Sequence, residues 1–411
     1  MTVEPLENAS SSEDAPSPNE QYESTLDEIF GTKVYAPEGR RRLKFLPWHK
    51  PRKQYVREMQ WCEQIRHMLQ ETLPDNNVLK YLGLPGDDLL DLRYFHEQIC
   101  IPNNLQLKYL GFNNGINKEE LRAEINISID EVNRLQFVDP SSLVIADDIC
   151  DIAKSDSIAW EQARKMGPFD VINIDLCDGF GKHPPDKFIE THYNTITKIL
   201  TLQSRRLKPW LLLLTTRTGF SHVHEAVYTQ LHHLYKANLE NCPTFQELSA
   251  ELLKISSEET LDEIAKTAKG VSDVFLISLC KWIAHYLSQQ RPPARLEVKS
   301  VIGYKVYPQA EHQDLVSLAI KVEPTLSVEE DKIGLARNVG GDLLPDECQI
   351  AAQSLQSVYS QVDADEVLAT NDQLMQQMID VSSKLLEVAR YDVSEYPNWA
   401  RQVSSAAKRN L

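Results

Sequence analysis

Residues 78–86 read VLKYLGLPG, a short apolar run that ends in the loop sequence Gly-Leu-Pro-Gly. An apolar run of this length that stops at glycine and proline predicts a buried strand followed by a loop. The same pattern returns four times, and a charged stretch with helical spacing separates each run from the next. The later runs are LQLKYLGF at 105–112, SLVIA at 142–146, DVINI at 170–174 and WLLLLT at 210–215.

Strands that alternate with helices predict a parallel sheet covered on both faces, and right-handed crossovers make that sheet doubly wound. Residues 221–290 have a helical pattern, and two β-rich runs then follow at 295–307 and 314–323. The short link between these two runs predicts an antiparallel hairpin. The predicted fold class is therefore α/β, with a doubly wound, mainly parallel sheet, a C-terminal antiparallel hairpin and helical extensions.

Composition divides the 411-residue chain into four predicted regions. Residues 1–30 hold eight acidic residues and no basic one, which predicts a disordered acidic head. A basic aromatic strap and helix follow at 31–77, and the α/β domain spans 78–323. Residues 324–411 form an acidic linker and a helical tail, whose periodic apolar positions at 345–390 predict either a protein-binding surface or packing onto the core.

The basic strap is a candidate nucleic-acid site. Residues 31–60 hold nine basic and two acidic residues, with aromatic residues between them. Basic side chains can hold phosphates and aromatic rings can stack on bases. Alternatively, the acidic head folds over this segment, or its rings strap it to the domain. The candidate residues are Arg40, Arg41, Arg42, Lys44, Lys50, Arg52 and Lys53.

Whole-chain properties narrow the class of protein. The formal net charge is −17, so general nucleic-acid binding is not expected. No apolar run approaches the roughly 20 residues that a membrane helix needs, and we expect no membrane contact. The seven cysteines are far apart and form no CxxC pair, which predicts reduced thiols. With no leader-like N-terminus, these features predict a cytoplasmic protein.

Five strand–helix units followed by helices and an antiparallel hairpin resemble the class I S-adenosylmethionine-dependent methyltransferases over residues 78–323. In that family a glycine-rich first loop approaches the methionine part of the cofactor, and Gly83 and Gly86 stand there. An acid that holds the ribose ends the family's second strand, where this chain has Asn113 and Asn114. An Asp at the end of the third strand holds the adenine amine, and Asp147 or Asp148 matches it.

The resemblance also implies the reacting site. Asp175 and Asp178 follow the fourth strand, where the family keeps catalytic or cofactor-facing groups. Three family signatures are absent: the acidic-Gly-x-Gly-x-Gly run of the first loop, the Asn/Asp-Pro-Pro-aromatic motif of amino-methylating enzymes and the Pro-Cys of cytosine-C5 enzymes. Cys177 follows a leucine instead, which predicts a small packed residue.

The resemblance implies a protein that binds S-adenosylmethionine and methylates a nucleic acid or another macromolecule. A catalytically degenerate interaction module in a larger assembly, such as a defence or modification assembly, is the alternative. A nuclease in which the four aspartates hold Mg²⁺ is a third, although helix capping explains each aspartate more simply and we expect no metal. His222 and His224 are interpreted as surface residues, and Lys182 and His183 as weaker candidates for proton transfer.

Overall fold

Eight strands form one sheet: β1 (Val78–Gly83), β2 (Gln106–Phe112), β3 (Leu143–Ile145), β4 (Val171–Gly179), β5 (Trp210–Arg217), β6 (Ala294–Tyr304), β7 (Leu315–Pro324) and β8 (Val362–Asp363). Their order is β3-β2-β1-β4-β5-β7-β6-β8. The first five strands are parallel, β7 is antiparallel to both β5 and β6, and β8 is parallel to β6. The predicted doubly wound sheet with a C-terminal antiparallel hairpin is confirmed, and it is a methyltransferase-like Rossmann arrangement.

The computed structural model describes residues 42–185, 187–306, 310, 312–325 and 346–408, with side chains up to 404. Residues 44–411 belong to one compact unit, and residues 1–43 belong to another, of which 42 and 43 are described. The predicted head at 1–30, residues Arg40 and Arg41, and most of the predicted acidic linker lie outside the described residues. The four predicted region boundaries remain predictions.

Helices cover both faces of the sheet. They are α1 (Pro51–Val56, continued by Arg57–Cys62 and Glu63–Glu71), α2 (Leu90–Phe95, continued by His96–Cys100 and Ile101–Asn103), α3 (Glu119–Asn133), α4 (Ile158–Met166), α5 (His192–Gln203), α6 (Glu225–Asn241), α7 (Pro243–Leu248, continued by Ser249–Leu253), α8 (Glu258–Ile264), α9 (Ala268–Ser288), α10 (Glu347–Tyr359), α11 (Ala364–Thr370), α12 (Asp372–Val388) and α13 (Tyr396–Lys408).

Strand β5 shows why the sheet is buried on both sides. Successive side chains of a strand point to opposite faces, so its run of leucines supplies two cores at once. Leu212 and Leu214 belong to one hydrophobic core, while Leu211 and Leu213 belong to the other. The first core also contains residues of α4, α5, α6 and α9, and the second contains residues of α1, α2 and α12.

Strand β4 is longer than its apolar run predicts. It continues from Val171 to Gly179, with a register shift against β5 between Asp175 and Gly179. Asp175 and Asp178 therefore lie within the end of the strand rather than in the loop after it. The short strand β8 was not predicted, because two residues carry no periodic signal.

The C-terminal helices pack onto the domain. Leu355 of α10 lies in the first core, and Met378 and Leu385 of α12 lie in the second. The packing alternative of the sequence analysis therefore describes these three side chains. A protein partner for residues 345–390 remains a prediction.

The prediction that every cysteine is reduced is wrong for one pair. Cys242 and Cys348 form a disulfide, with their sulfur atoms 2.02 Å apart. This bond joins the segment between α6 and α7 to α10 across 106 residues of sequence. Nothing in the sequence indicated this pair, because cysteines far apart in sequence come into contact only when the chain folds.

Membrane contact was not expected. Within the residues that the structure describes, no helix is long and apolar enough to cross a bilayer.

Candidate functional site

A cavity of about 510 Å³ opens at the carboxyl edge of the parallel strands. Its walls come from the loops that follow β1, β2 and β3 and from the end of β4. Strands β1 and β4 are neighbours, and the chain order reverses between them. Crevices at such reversal points are where open α/β sheets bind ligands.

The first loop places one of its two glycines on the cavity. Gly86 lines the cavity with a φ of +67°, and nothing lies within 4 Å of a Cβ built there. Glycine adopts this left-handed conformation at little cost and leaves the backbone open to a ligand. Gly83 is buried in β1, where a Cβ would lie 2.5 Å from the Tyr81 hydroxyl. Gly83 therefore serves close packing below the cavity, while Gly86 faces it.

The asparagines after β2 line the cavity but are held by the protein. The Asn113 Oδ1 accepts from the Gly115 backbone N–H at 2.8 Å, and its Nδ2 donates to Asp87 Oδ1 at 3.2 Å. The Asn114 Nδ2 donates to Asp148 Oδ2 at 3.2 Å. Both side chains therefore orient neighbouring carboxylates, and Asp87 joins the cavity wall as a residue that the sequence analysis missed.

The two aspartates after β3 have different surroundings. Asp148 is exposed, and its Oδ1 accepts from the Cys150 backbone N–H at 2.9 Å, capping the turn Ile149–Ala153. Asp147 is half-buried, and within the described chain its carboxylate makes no hydrogen bond or ion pair. Both line the cavity, so Asp147 is the carboxylate with more capacity to accept from a ligand.

At the end of β4, Asp175 pairs with a lysine from α1. The Lys53 Nζ donates to Asp175 Oδ1 at 2.6 Å and lies 4.4 Å from the centre of the Trp61 ring. Burial alone would lower the pKa of Lys53, but Asp175, Tyr304 and Asp91 together raise it above its ordinary value. The ammonium is therefore charged and neutralises Asp175.

Asp178 lies at the cavity rim among three donors. The Gly179 backbone N–H donates to its Oδ1 at 2.8 Å, and His222 Nδ1 lies 3.0 Å from the same oxygen. Lys182 Nζ donates to Oδ2. Partial burial opposes ionisation, but these donors outweigh it and hold the pKa of Asp178 well below its usual range. Asp178 is therefore ionised.

Other wall residues had no readable signal in the sequence. Arg57 and Asp91 line the cavity and form an ion pair, with Nε 2.6 Å from Oδ1. Trp48 and His192 also contribute to the wall, and burial lowers the pKa of His192. These residues come from three stretches of chain, at 48–57, 91 and 192, which only the tertiary structure brings together.

Cys177 does not fit the packed position that its leucine neighbour predicted. It is exposed and lines the cavity. Although the residue is exposed, neighbouring protein atoms partly desolvate its sulfur, and this desolvation and the charge of Asp175 raise the pKa of the thiol, so the thiol is protonated at neutral pH.

The basic residues predicted to bind nucleic acid are not equally accessible. Arg52 and Lys53 are buried, and Arg52 pairs with Asp365 at 3.0 Å, so the fold itself uses both charges. Lys44 is exposed and Lys50 is half-buried. Burial and the nearby Arg52 lower the pKa of Lys50.

The structure also bears on the hypothesis that the four aspartates hold Mg²⁺ in a nuclease, because it shows how these side chains are arranged. Among the side chains that are described, no group of three or more histidines, cysteines or acids is arranged to hold a metal ion. Asp175 and Asp178 each have a lysine partner instead.

Sequence comparison assigns a family over most of the chain. Residues 42–401 match the PP_RS20740-like family. The chain belongs to the PP_RS20740-like family. No curated protein matches it. A solved structure of a proposed class I S-adenosylmethionine-dependent methyltransferase from Listeria monocytogenes is 10% identical, with a TM-score of 0.35 over 76% of this chain and 69% of that chain.

Proposed function

We propose that this protein binds S-adenosylmethionine in the cavity at the carboxyl edge of the sheet and transfers its methyl group to a macromolecule. One observation carries the proposal: the loops after β1, β2 and β3 and the end of β4 in a methyltransferase-like sheet line a single cavity of about 510 Å³. Small-molecule and cofactor sites usually measure about 300–1,000 Å³.

The wall residues fit the parts of the cofactor. The open backbone at Gly86 suits the methionine part, and the carboxylate of Asp147, which is unpaired within the described residues, suits the adenine amine. Asn114 and Asp148, which hydrogen-bond each other, are the residues that we expect to face the ribose. When bound, the cofactor supplies an electrophilic methyl group, while the protein aligns the acceptor and removes its proton.

The charge of the cavity also supports a cationic ligand such as a sulfonium. Asp87, Asp147 and Asp148 have no cationic partner within the described chain, and the groups that donate to Asp87 and Asp148 are neutral amides. The Arg57 guanidinium is already paired with Asp91. Opposite charge in a partly enclosed site favours binding of a cation.

Calorimetric titration with S-adenosylmethionine and S-adenosylhomocysteine tests the proposal. We expect micromolar binding, about −8 kcal/mol, and at least tenfold weaker binding for Asp147→Asn. Asp130→Asn is the matched control, because Asp130 lies on α3 and pairs with Arg134 at the surface. The proposal would be refuted if neither ligand produced heat on titration or a shift in melting temperature.

Nucleic acid is the first acceptor that we propose, because the basic segment at 31–60 can hold phosphates. Binding of RNA or DNA through phosphates must weaken steeply as salt rises. We therefore expect affinity for mixed-sequence RNA to fall between 50 and 200 mM salt. At a given salt concentration, Lys44→Ala should bind this RNA more weakly than the native protein. Salt-independent binding would argue against this acceptor.

The alternative function is an interaction module without catalysis. The pairing of Lys53 with Asp175 favours it, because the carboxylate expected beside the acceptor is neutralised within the protein. The first loop also lacks the acidic-Gly-x-Gly-x-Gly run of class I methyltransferases. If both cofactor forms fail to bind the folded protein, this alternative becomes the better account.

A further inference from the structure

His222 is held beside the candidate site by contacts with the end of β4 and the residues that follow it. Its ring meets the Asp178 carboxylate, with Nδ1 3.0 Å from Oδ1. Its backbone packs against Gly179, where a Cβ would lie 1.8 Å from the His222 carbonyl oxygen. The next residues are tied to the same strand end, because the His224 N–H donates to the Gly181 carbonyl at 2.8 Å.

His222 and His224 lie in different elements, although the helical pattern at 221–290 includes both. His222 ends the short turn Phe220–His222 after β5, while His224 caps α6. The His222 side chain is 22% exposed, so it is neither fully buried nor a freely moving surface group.

The contact with Asp178 determines which ring nitrogen holds the proton. An ionised carboxylate only accepts hydrogen bonds, so Nδ1 must be the donor. In the neutral ring the lone pair is then on Nε2, on the opposite side of the imidazole. Histidines that act as general bases are often oriented by a carboxylate, which also stabilises their cationic form.

We propose that His222 is the general base of the methyl transfer and that Asp178 is its positioning residue. This inference rests on the proposed function. The inference also defines the acceptor group: it is a nucleophile that carries a removable proton, such as a hydroxyl or an amine.

The balance of the step follows from these roles. The acceptor O–H or N–H gives its proton to His222 Nε2, and the acceptor lone pair forms a bond to the methyl carbon. The methyl–sulfur bond breaks, and its electron pair stays on sulfur. Asp178 stabilises the imidazolium that results, and the products are S-adenosylhomocysteine and the methylated acceptor.

Long-range ¹H–¹⁵N NMR of the full-length protein tests the geometry without an acceptor. We expect His222 to hold its proton on Nδ1, and expect Asp178→Asn to remove that preference. His224 is the internal control, because its Nδ1 accepts from the Ala226 N–H and cannot hold a proton there. A neutral His222 with its proton on Nε2 would overturn the proposal.

Transfer of tritiated methyl to mixed-sequence RNA and DNA tests the role. General bases contribute about 10²–10⁴-fold, so we expect His222→Gln to lose at least a hundredfold in rate. Affinity for S-adenosylhomocysteine should be unchanged, as should transfer by His224→Gln. Transfer by His222→Gln within twofold of the native rate would overturn the inference while leaving the proposed function intact. If the native protein binds no cofactor, the proposed function fails, and with it the base role of His222.

Discussion

Replacing Arg57 with methionine should lower the free energy of unfolding by about 3–5 kcal/mol. The Arg57 Nε donates to Asp91 Oδ1 at 2.6 Å, and each side chain is only 5% exposed. Methionine fills a similar space without a charge. The variant therefore leaves a buried carboxylate without its cation, which is more costly than losing a surface pair.

An exposed pair of the same chemistry provides the control. Arg134, which caps the C-terminus of α3, lies 2.9 Å from Asp130 on that helix. The two side chains are 78% and 57% exposed, so Arg134→Met should cost only about 0.3–0.5 kcal/mol. Urea unfolding followed by circular dichroism measures both losses. Changing Asp91 to leucine together with Arg57→Met should recover most of the loss, because both charges then leave the interior.

The same pair predicts a pH dependence. Burial raises the pKa of the Asp91 carboxyl, and Arg57 opposes that rise. Without Arg57 the folded-state pKa is higher still, so folding favours the protonated acid. A raised folded-state pKa stabilises the fold in acid, and this contribution is lost as pH rises through it. The deficit of Arg57→Met should therefore be largest at neutral pH and shrink toward acid. A loss below about 1 kcal/mol, or a deficit independent of pH, would refute the reasoning.

Three further changes are predicted. Gly86→Ala should cost about 1–2 kcal/mol in unfolding free energy, because Gly86 has a positive φ. Gly219 also has open space around it but no positive φ, so Gly219→Ala should cost less than about 0.5 kcal/mol. Equal losses in urea unfolding would contradict this prediction. Cys348→Ser should cost about 2–4 kcal/mol, since its bond to Cys242 closes a loop of 106 residues, and dithiothreitol should destabilise the native protein but not this variant. Lys53→Met should cost about 1–3 kcal/mol by leaving Asp175 unpaired, and adding Asp175→Asn should recover part of the loss in the same assay.

Much of the sheet could be predicted because strands and helices follow local rules. The run WLLLLT is apolar on both faces, and this alone indicates a strand buried between two helical layers. Its observed bounds, Trp210–Arg217, extend that prediction by two residues. The end of β4 was harder to predict, because polar residues such as Asp175 and Asp178 carry no strand signal.

The candidate site was predicted only in part. Position after a strand placed Asp147 and Asp148 at the correct edge of the sheet, because carboxyl ends of parallel strands share one edge. Which of them is available to a ligand depends on the Cys150 N–H, which Asp148 caps. The contact between His222 and Asp178 could not be predicted, because nothing in the neighbourhood of His222 along the chain indicates it.

Hydrophobic period and turn residues are local properties, so they predict the alternation of strands and helices, the hairpin and the edge where the strand-end aspartates collect. The tertiary structure alone decided the partners of those aspartates. Lys53 reaches Asp175 across 122 residues, and His222 reaches Asp178 across 44. The physical reason is that an ion pair depends on distance in space, and distance in sequence says little about it once the chain has folded.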